Sequence, residues 1–284
     1  MPELFLSRFP EGGRWLLQVA LLCERLTFAL ADAVISTNES YRRVAIDRGR
    51  KNPALVQVVR SAPDLERFTP KDADPDLRRG KRHLAAYLGV MGPQDGIDYA
   101  LRALAHLRHD LGRDDLQTIF MGSGDCFDEV RELCTRLGLD ECVEFTGRVP
   151  DEFVQRCLST ADVCLAPDPR TPLNDVSSMN KIVEYMAIGR PIVAFDLVEA
   201  QVSAGGAAVY APADDELAFA KCIDELLGDP RRRKEMGEIG RARVAGELSW
   251  AHSQRNLTDF YARIAPVPSS RGSIGARTEG GEVR

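Results

Sequence analysis

No CxxC pair occurs among the seven cysteines (Cys23, Cys126, Cys134, Cys142, Cys157, Cys164 and Cys222), and their number is odd. Neither a zinc site nor a closed disulfide framework is therefore expected. Free cysteines in apolar segments behave as small hydrophobes, and a reducing cytoplasm is the expected compartment. Histidine is scarce: there are only His83, His106, His109 and His252, and neither HExxH nor GxSxG is formed. No catalytic residue is thus named by motif, and no metal is expected. Excess positive charge is lacking as well. With 43 acidic against 37 basic residues the net charge is −6, which argues against nucleic acid as a partner. The basic run RRRK at 231–234 has acidic neighbours and reads as a solvated helix face.

Long apolar runs are missing too. The first residues, MPELFLSRFPEGG, do not show a basic stretch followed by an apolar one. WLLQVALLCERLTFALADAVI is apolar, but Glu24, Arg25 and Asp32 interrupt it, which is too broken for a spanning helix. An amphipathic helix buried on its own domain is expected; a membrane-surface association has nothing else in the sequence to support it.

What is present is a regular alternation of short apolar strands and amphipathic helices, in a chain whose 44% hydrophobic content suffices for a sizeable core. A long helix is expected over 13–32, then a strand AVIST (33–37), a short helix SYRRVAIDRG and a strand LVQVVRS (55–61). The segment 62–82, rich in proline and mixed charge, reads as a linker. Beyond it come the strands HLAAYLG, LQTIFMG, VEFTG, VCLAP, PIVAFD and AAVYAP. Helices separate the first four, and three more are expected at 214–227, 230–246 and 250–264. In the first of the separating helices Ile97, Leu101, Leu104 and Leu107 share one face. The pattern predicts βαβ units and a parallel sheet with helices on both faces, a Rossmann-like α/β fold. The tail from Pro266, rich in Ser, Gly and Arg, is expected to be disordered.

Right-handed crossovers bring the carboxyl ends of all these strands to one rim, where open α/β sheets bind ligands. Four loops follow strands and so converge there: GVMGPQDG (89–96), GSGD (122–125), TGR (146–148) and NDVSSMNK (174–181). In the last, Ser177 or Ser178 is a candidate N-cap, and a helix N-terminus accepts a phosphate on its free N–H groups. Lys181 lies in the first turn, within reach of that phosphate, and Glu184 follows on the same face. A carboxylate there suits sugar hydroxyls. A surface Lys181–Glu184 pair fits the spacing equally well. The glycines Gly89, Gly92 and Gly96 form neither GxGxxG nor a P-loop, and a tight turn explains them at least as well.

Taken together, ADAVISTNESYRR, RSAPDLERF, GVMGPQDGID, FMGSGD, VEFTGRVP, ADVCLAPDP and NDVSSMNKIVEYMAIGRPIVAFDL resemble the retaining glycosyltransferases of the GT-B fold, family four (glycosyl transferases group 1), over about residues 30–264. The resemblance implies two Rossmann-like domains facing a cleft, with the C-terminal one binding a nucleotide-diphosphate sugar. It implies transfer of the sugar to an acceptor with retention, and no bound metal or other cofactor. UDP- or GDP-linked donors are the expected partners; sugar and acceptor stay unnamed. Carried over by residue, Glu184 would hold the ribose. Ser178, Met179, Asn180 and Lys181, with Gly92 and Gln94, would face the diphosphate. Asn174, Asp175, Val176 and Ser177 would face the donor sugar, and Gly147, Arg148 and Val149 the base. The catalytic residue is unassigned.

Three departures stand out. Family members often carry a second glutamate eight positions before the one matching Glu184; Val176 stands there, with Asp175 beside it. Their glycine turn often supplies an arginine and a lysine; Val90 and Asp95 replace them, and Lys181 is expected to supply the missing charge. The third is length: a complete N-terminal domain would take roughly 150–180 residues. The expected organisation is a remnant of that acceptor domain with its linker (1–75), the nucleotide-sugar-binding domain (76–248), a terminal helix packing back toward the N-terminal part (249–265) and the tail (266–284). A catalytically incomplete nucleotide-sugar-binding or interaction fragment, lacking the acceptor domain, is the alternative reading. A nucleotide-sugar epimerase of the same fold is disfavoured, because its acidic and histidine set is not found.

Overall fold

The computed structural model describes residues 2–8 and 14–264. The tail expected to be disordered lies outside them. Two helices, α1 (Pro2–Arg8) and α2 (Arg14–Leu30), precede a small sheet. In that sheet β1 (Val34–Ser36) pairs parallel with β2 (Val56–Val58), in register Val34 with Val56, and α3 (Glu39–Arg43), extended by a wide turn to Arg48, connects them. On α2, Trp15, Val19, Leu22, Leu26 and Leu30 point outward from this part of the chain.

The main sheet has six strands: β3 (His83–Leu88), β4 (Leu116–Met121), β5 (Val143–Gly147), β6 (Val163–Ala166), β7 (Ile192–Phe195) and β8 (Ala208–Ala211). Their spatial order is β5-β4-β3-β6-β7-β8, and every pair is parallel. The central strands are buried end to end, as their unbroken apolar runs require when helices cover both faces. The helices are α4 (Ile97–Ala105), α5 (Phe127–Arg136), α6 (Asp151–Thr160), α7 (Asn180–Ile188), α8 (Val198–Ala204), α9 (Glu216–Gly228), α10 (Pro230–Ala245) and α11 (Trp250–Ile264). Ile97, Leu101, Leu104 and Leu107 are all buried, as their spacing on one face demands.

Two local expectations change. Residues 62–82 do not hang free: Phe68 enters the main core, the amides of Lys71 and Asp74 donate to Ser159 Oγ and Thr160 Oγ1, and Arg78 pairs with Asp162. Polar side chains at the end of α6 strap the segment down, a contact invisible in its own composition. Helix α8 was not expected at all. Its seven residues are too few to declare a period, and Asp175, from a distant loop, accepts from the Val198 amide at its start. At the far end of the chain, Arg263 of α11 donates to Gln57 Oε1 of β2 at 2.9 Å.

Candidate functional site

Strands β3 and β6 are neighbours, but the chain leaves them in opposite directions: β3 leads through α4 to β4, and β6 through α7 to β7. A crevice opens at the carboxyl edge wherever the strand order reverses in this way. Helix α7 sits over it. Tyr185 fixes the helix there, its hydroxyl accepting from Leu88 N (2.8 Å) and donating to Leu165 O (3.2 Å), the last turns of β3 and β6.

The rim loops interlock through their backbones. Gly89 N donates to Met121 O, Met91 N to Ser123 O, and Gly122 N to Gly147 O. A side chain on Gly122 would lie 1.9 Å from Gly89 O, and one on Gly96, where φ is +69°, would lie 2.0 Å from Pro167 O. These glycines are thus required by the chain's own close approach.

Lys181 does not face outward from the first turn of α7. It is 7% exposed, and its ammonium donates to Asp168 Oδ1 at 2.7 Å and Tyr87 Oη at 3.3 Å, with Asp95 Oδ1 3.9 Å away. The apolar underside of the helix draws its long stem inward, and Asp168, itself 2% exposed, supplies the counter-charge at the end of β6. Burial alone would lower the lysine pKa; Asp168 and Asp95 outweigh it and hold the ammonium charged above its usual range. Asp95 is pushed up by burial, with Lys181 pulling the other way. Its Oδ2 also accepts from Gly92 N and Gln94 Nε2, both at 3.0 Å, so the pair shapes the glycine turn. Gln94 Oε1 is buried and has no donor among the described residues.

The expected serine cap is also absent. Met179 occupies the N-cap of α7 and makes no side-chain cap bond. Ser177 Oγ instead donates to Leu173 O, and Ser178 Oγ lies between Asn38 Nδ2 and Glu199. The hydroxyls are drawn off by neighbouring groups, so the first amides of α7 have no side-chain acceptor among the described residues. In front of them is a cleft of about 210 Å³, lined by Ser178, Met179 and Asn180 on one side and by Thr37, Arg60 and Ser61 on the other. A larger hollow, of about 860 Å³, lies instead beside Arg79, Arg131 and Glu144 at the outer edge of β5. It is away from the switch point and carries no convergent set.

Glu184, one turn into α7, is half-buried, and no donor among the described residues bonds its carboxylate. Burial pushes its pKa up, while Arg67 and Lys181 pull it down. It forms no surface pair with Lys181. Asn174 is 2% exposed, and its amide donates to Gln94 O (2.8 Å) and Pro169 O (2.9 Å), stapling two rim loops. Asp175 caps α8, as described, and Val176 offers its carbonyl to Asn38. Gly147, Arg148 and Val149 lie on the same rim, two strands along from β3, with Arg148 exposed. The structure thus brings Gly92, Gln94, Asn174, Asp175, Val176, Ser177, Ser178, Met179, Asn180 and Lys181 into one connected region and leaves 147–149 at its flank.

Sequence reasoning passed over Asp168, Glu199 and Arg60, and took Asp95 only as a departure. Asp168 carried one usable signal, a carboxylate two residues past a fully buried strand. Among the described residues no group of three His, Cys, Asp or Glu side chains could hold a metal ion, and no helix is long and apolar enough to cross a membrane.

Comparison with known proteins agrees with this architecture. The family model of glycosyl transferases group 1 matches residues 82–229, more than half of the chain. The alpha-D-kanosaminyltransferase of Streptomyces kanamyceticus is 27% identical over 257 residues, covering 87% of this chain and 64% of its own. The D-inositol 3-phosphate glycosyltransferase of Corynebacterium kroppenstedtii is 26% identical, covering 84% of this chain and 55% of its own. The chain therefore spans less than two thirds of the length of these relatives. Among solved structures, sucrose-phosphate synthase from Thermosynechococcus elongatus superposes with a TM-score of 0.73 at 20% identity, over 91% of this chain and 65% of that one. Anabaena HepE in complex with UDP-glucose gives 0.73 at 18% identity, over 89% and 69%. The fold is that of the GT-B glycosyltransferases, and the chain belongs to the glycosyl transferases group 1 family.

Proposed function

We propose that this group 1 chain is the donor-binding part of a glycosyltransferase, holding a nucleotide-diphosphate sugar at the α7 end of its sheet for transfer with retention to an acceptor. One observation carries the reading: the N-terminus of α7 lies uncapped over the switch point, with the donorless carboxylate of Glu184 one turn further in. A diphosphate is the complement of the first feature, because the free amides and the helix dipole both favour a dianion. A ribose is the complement of the second, because its hydroxyls supply the donors that Glu184 lacks.

In this arrangement Met179, Asn180 and the backbone of Lys181 cradle the diphosphate. The Lys181 side chain acts through its charge and through its hold on the Gly92–Gln94 turn. The sugar then lies toward 174–177 and the base toward Gly147, Arg148 and Val149. UDP is favoured over GDP by two proteins of this fold, one solved with UDP and with UDP-glucose and the other with UDP. The reading calls for no resident metal or cofactor, and for a cytoplasmic supply of the donor. Calorimetric titration of the chain with UDP and with GDP tests it: micromolar binding of one of them is expected, weakened in Glu184→Ala. Binding of neither would overturn the reading.

A further inference from the structure

We propose that Glu199 is a positioning residue of this site, holding the 176–180 backbone against the N-terminal segment 38–41. The inference rests on the donor-site reading and adds to it the contact that shapes the site. Glu199 lies in the first turn of α8 and is 1% exposed. Its Oε1 accepts from Ser40 Oγ at 2.6 Å and Ser40 N at 3.3 Å. Its Oε2 accepts from Ser178 Oγ at 3.4 Å, and Arg60 Nη2 stands 3.8 Å away.

Asn38, fully buried, completes the ring. Its Nδ2 donates to Val176 O (2.8 Å) and Ser178 Oγ (3.0 Å), while its Oδ1 accepts from Tyr41 N at the start of α3 (2.7 Å). Tyr41 Oη and Ser177 Oγ are 2.7 Å apart. Three consecutive loop residues, Val176, Ser177 and Ser178, are thus each bonded to a segment 136–140 positions away.

A buried carboxylate is tolerated only while its lone pairs are satisfied. For Glu199 most of that satisfaction comes from Ser40 and Arg60, both in the N-terminal part. If the 38–41 segment moves away, the carboxylate loses these groups, and the loop that feeds α7 loses three anchors. Met179 and Asn180, whose amides form the proposed phosphate cradle, are the next residues along. The same carboxylate stands beside Arg60, the cation that lines the cleft in front of that cradle. Loop geometry and N-terminal contact therefore behave as one unit, and nucleotide affinity depends on both.

The test uses the full chain with Glu199→Ala, Ser40→Ala and Glu199→Gln. Amide hydrogen exchange is followed over 174–182 without nucleotide, and UDP and GDP are titrated calorimetrically. Both alanine variants should exchange faster at 176–180 and bind the preferred nucleotide about tenfold more weakly, the loss expected for a missing charged hydrogen bond. Glu199→Gln keeps an oxygen acceptor for Ser40 and should recover most of that affinity at an unchanged unfolding midpoint. Unchanged exchange and affinity in both alanine variants would overturn the proposal. If the parent chain binds neither nucleotide, the donor-site reading fails, and exchange alone decides the positioning role: faster upholds it, unchanged overturns it. If Glu199→Ala does not fold, the comparison of Ser40→Ala with Glu199→Gln carries the same outcomes.

Discussion

Replacing Lys181 by methionine isolates the buried charge at the switch point. Methionine matches the lysine stem in length and has similar helix propensity, so α7 is otherwise undisturbed. In the native arrangement the ammonium lies 2.7 Å from Asp168 and 3.9 Å from Asp95. At an effective dielectric constant of about 20 these contacts are worth roughly 6 and 4 kcal/mol of gross attraction. Desolvating three charged groups costs several kcal/mol each, so the intact cluster contributes little net stability. Removing only the lysine changes that balance. The attraction is lost while the carboxylates stay desolvated, and the expected destabilisation is about 3–5 kcal/mol. Urea unfolding followed by circular dichroism reads this as a lower midpoint at unchanged slope. Asp168→Asn in the same background should restore part of the loss, with a coupling of roughly 1–3 kcal/mol. The Lys181→Met penalty should also shrink in acid, because Asp95, pushed up by burial, loses the Lys181 charge that pulls it down and takes up a proton sooner. A penalty below about 1 kcal/mol, or additive effects of the two substitutions, would refute the picture of a desolvated, mutually dependent pair.

Other outcomes follow from the same geometry. Glu184 has a raised pKa from burial, so it gains a proton before an ordinary glutamate does; nucleotide affinity should fall as pH drops through a midpoint above 4.5, and Glu184→Gln should abolish that dependence in calorimetry. His83 is buried at the start of β3, both ring nitrogens lacking hydrogen bonds among the described residues, and burial lowers its pKa despite Asp162 and Asp115 nearby. The unfolded chain then binds the extra proton more readily, so stability should be lost as pH falls below 6.5; His83→Phe should flatten a thermal-melt series in that range. Gly122→Ala places a methyl 1.9 Å from Gly89 O at a positive φ and should destabilise by at least about 1–3 kcal/mol in urea unfolding. Gly80→Ala, with φ +78 but open space around it, should cost only about 1 kcal/mol.

Much of the fold was legible because strands and helices here have strong local signals. HLAAYL and LQTIFM are continuous apolar runs of strand length, and Ile97, Leu101, Leu104 and Leu107 repeat at the helical period. Both patterns are set by which faces must be buried. Once strands and helices alternate, the handedness of the crossovers brings the loops to one rim. The expectation of a ligand site on that rim rests on this handedness alone. The family, too, was readable from the order of short motifs.

The partners of individual polar side chains were not readable. Ser177 and Ser178 looked like caps, yet Leu173, Asn38 and Glu199 take their hydroxyls. Lys181 looked like a phosphate ligand on a first turn, yet Asp168 and Asp95 bind it inside. Asn174, carried over as a sugar contact, staples two loops. Periodicity is a property of neighbours along the chain and reports burial, which acts on each residue separately. A hydrogen bond or ion pair needs a second group at about 3 Å, and here that group comes from another loop or from more than a hundred residues away. The sequence by itself determined the sheet, most of its helices and the rim at which a ligand is expected. Only the tertiary structure decided which charges are free to meet that ligand, because only packing brings Asp168 to Lys181 and Ser40 to Glu199.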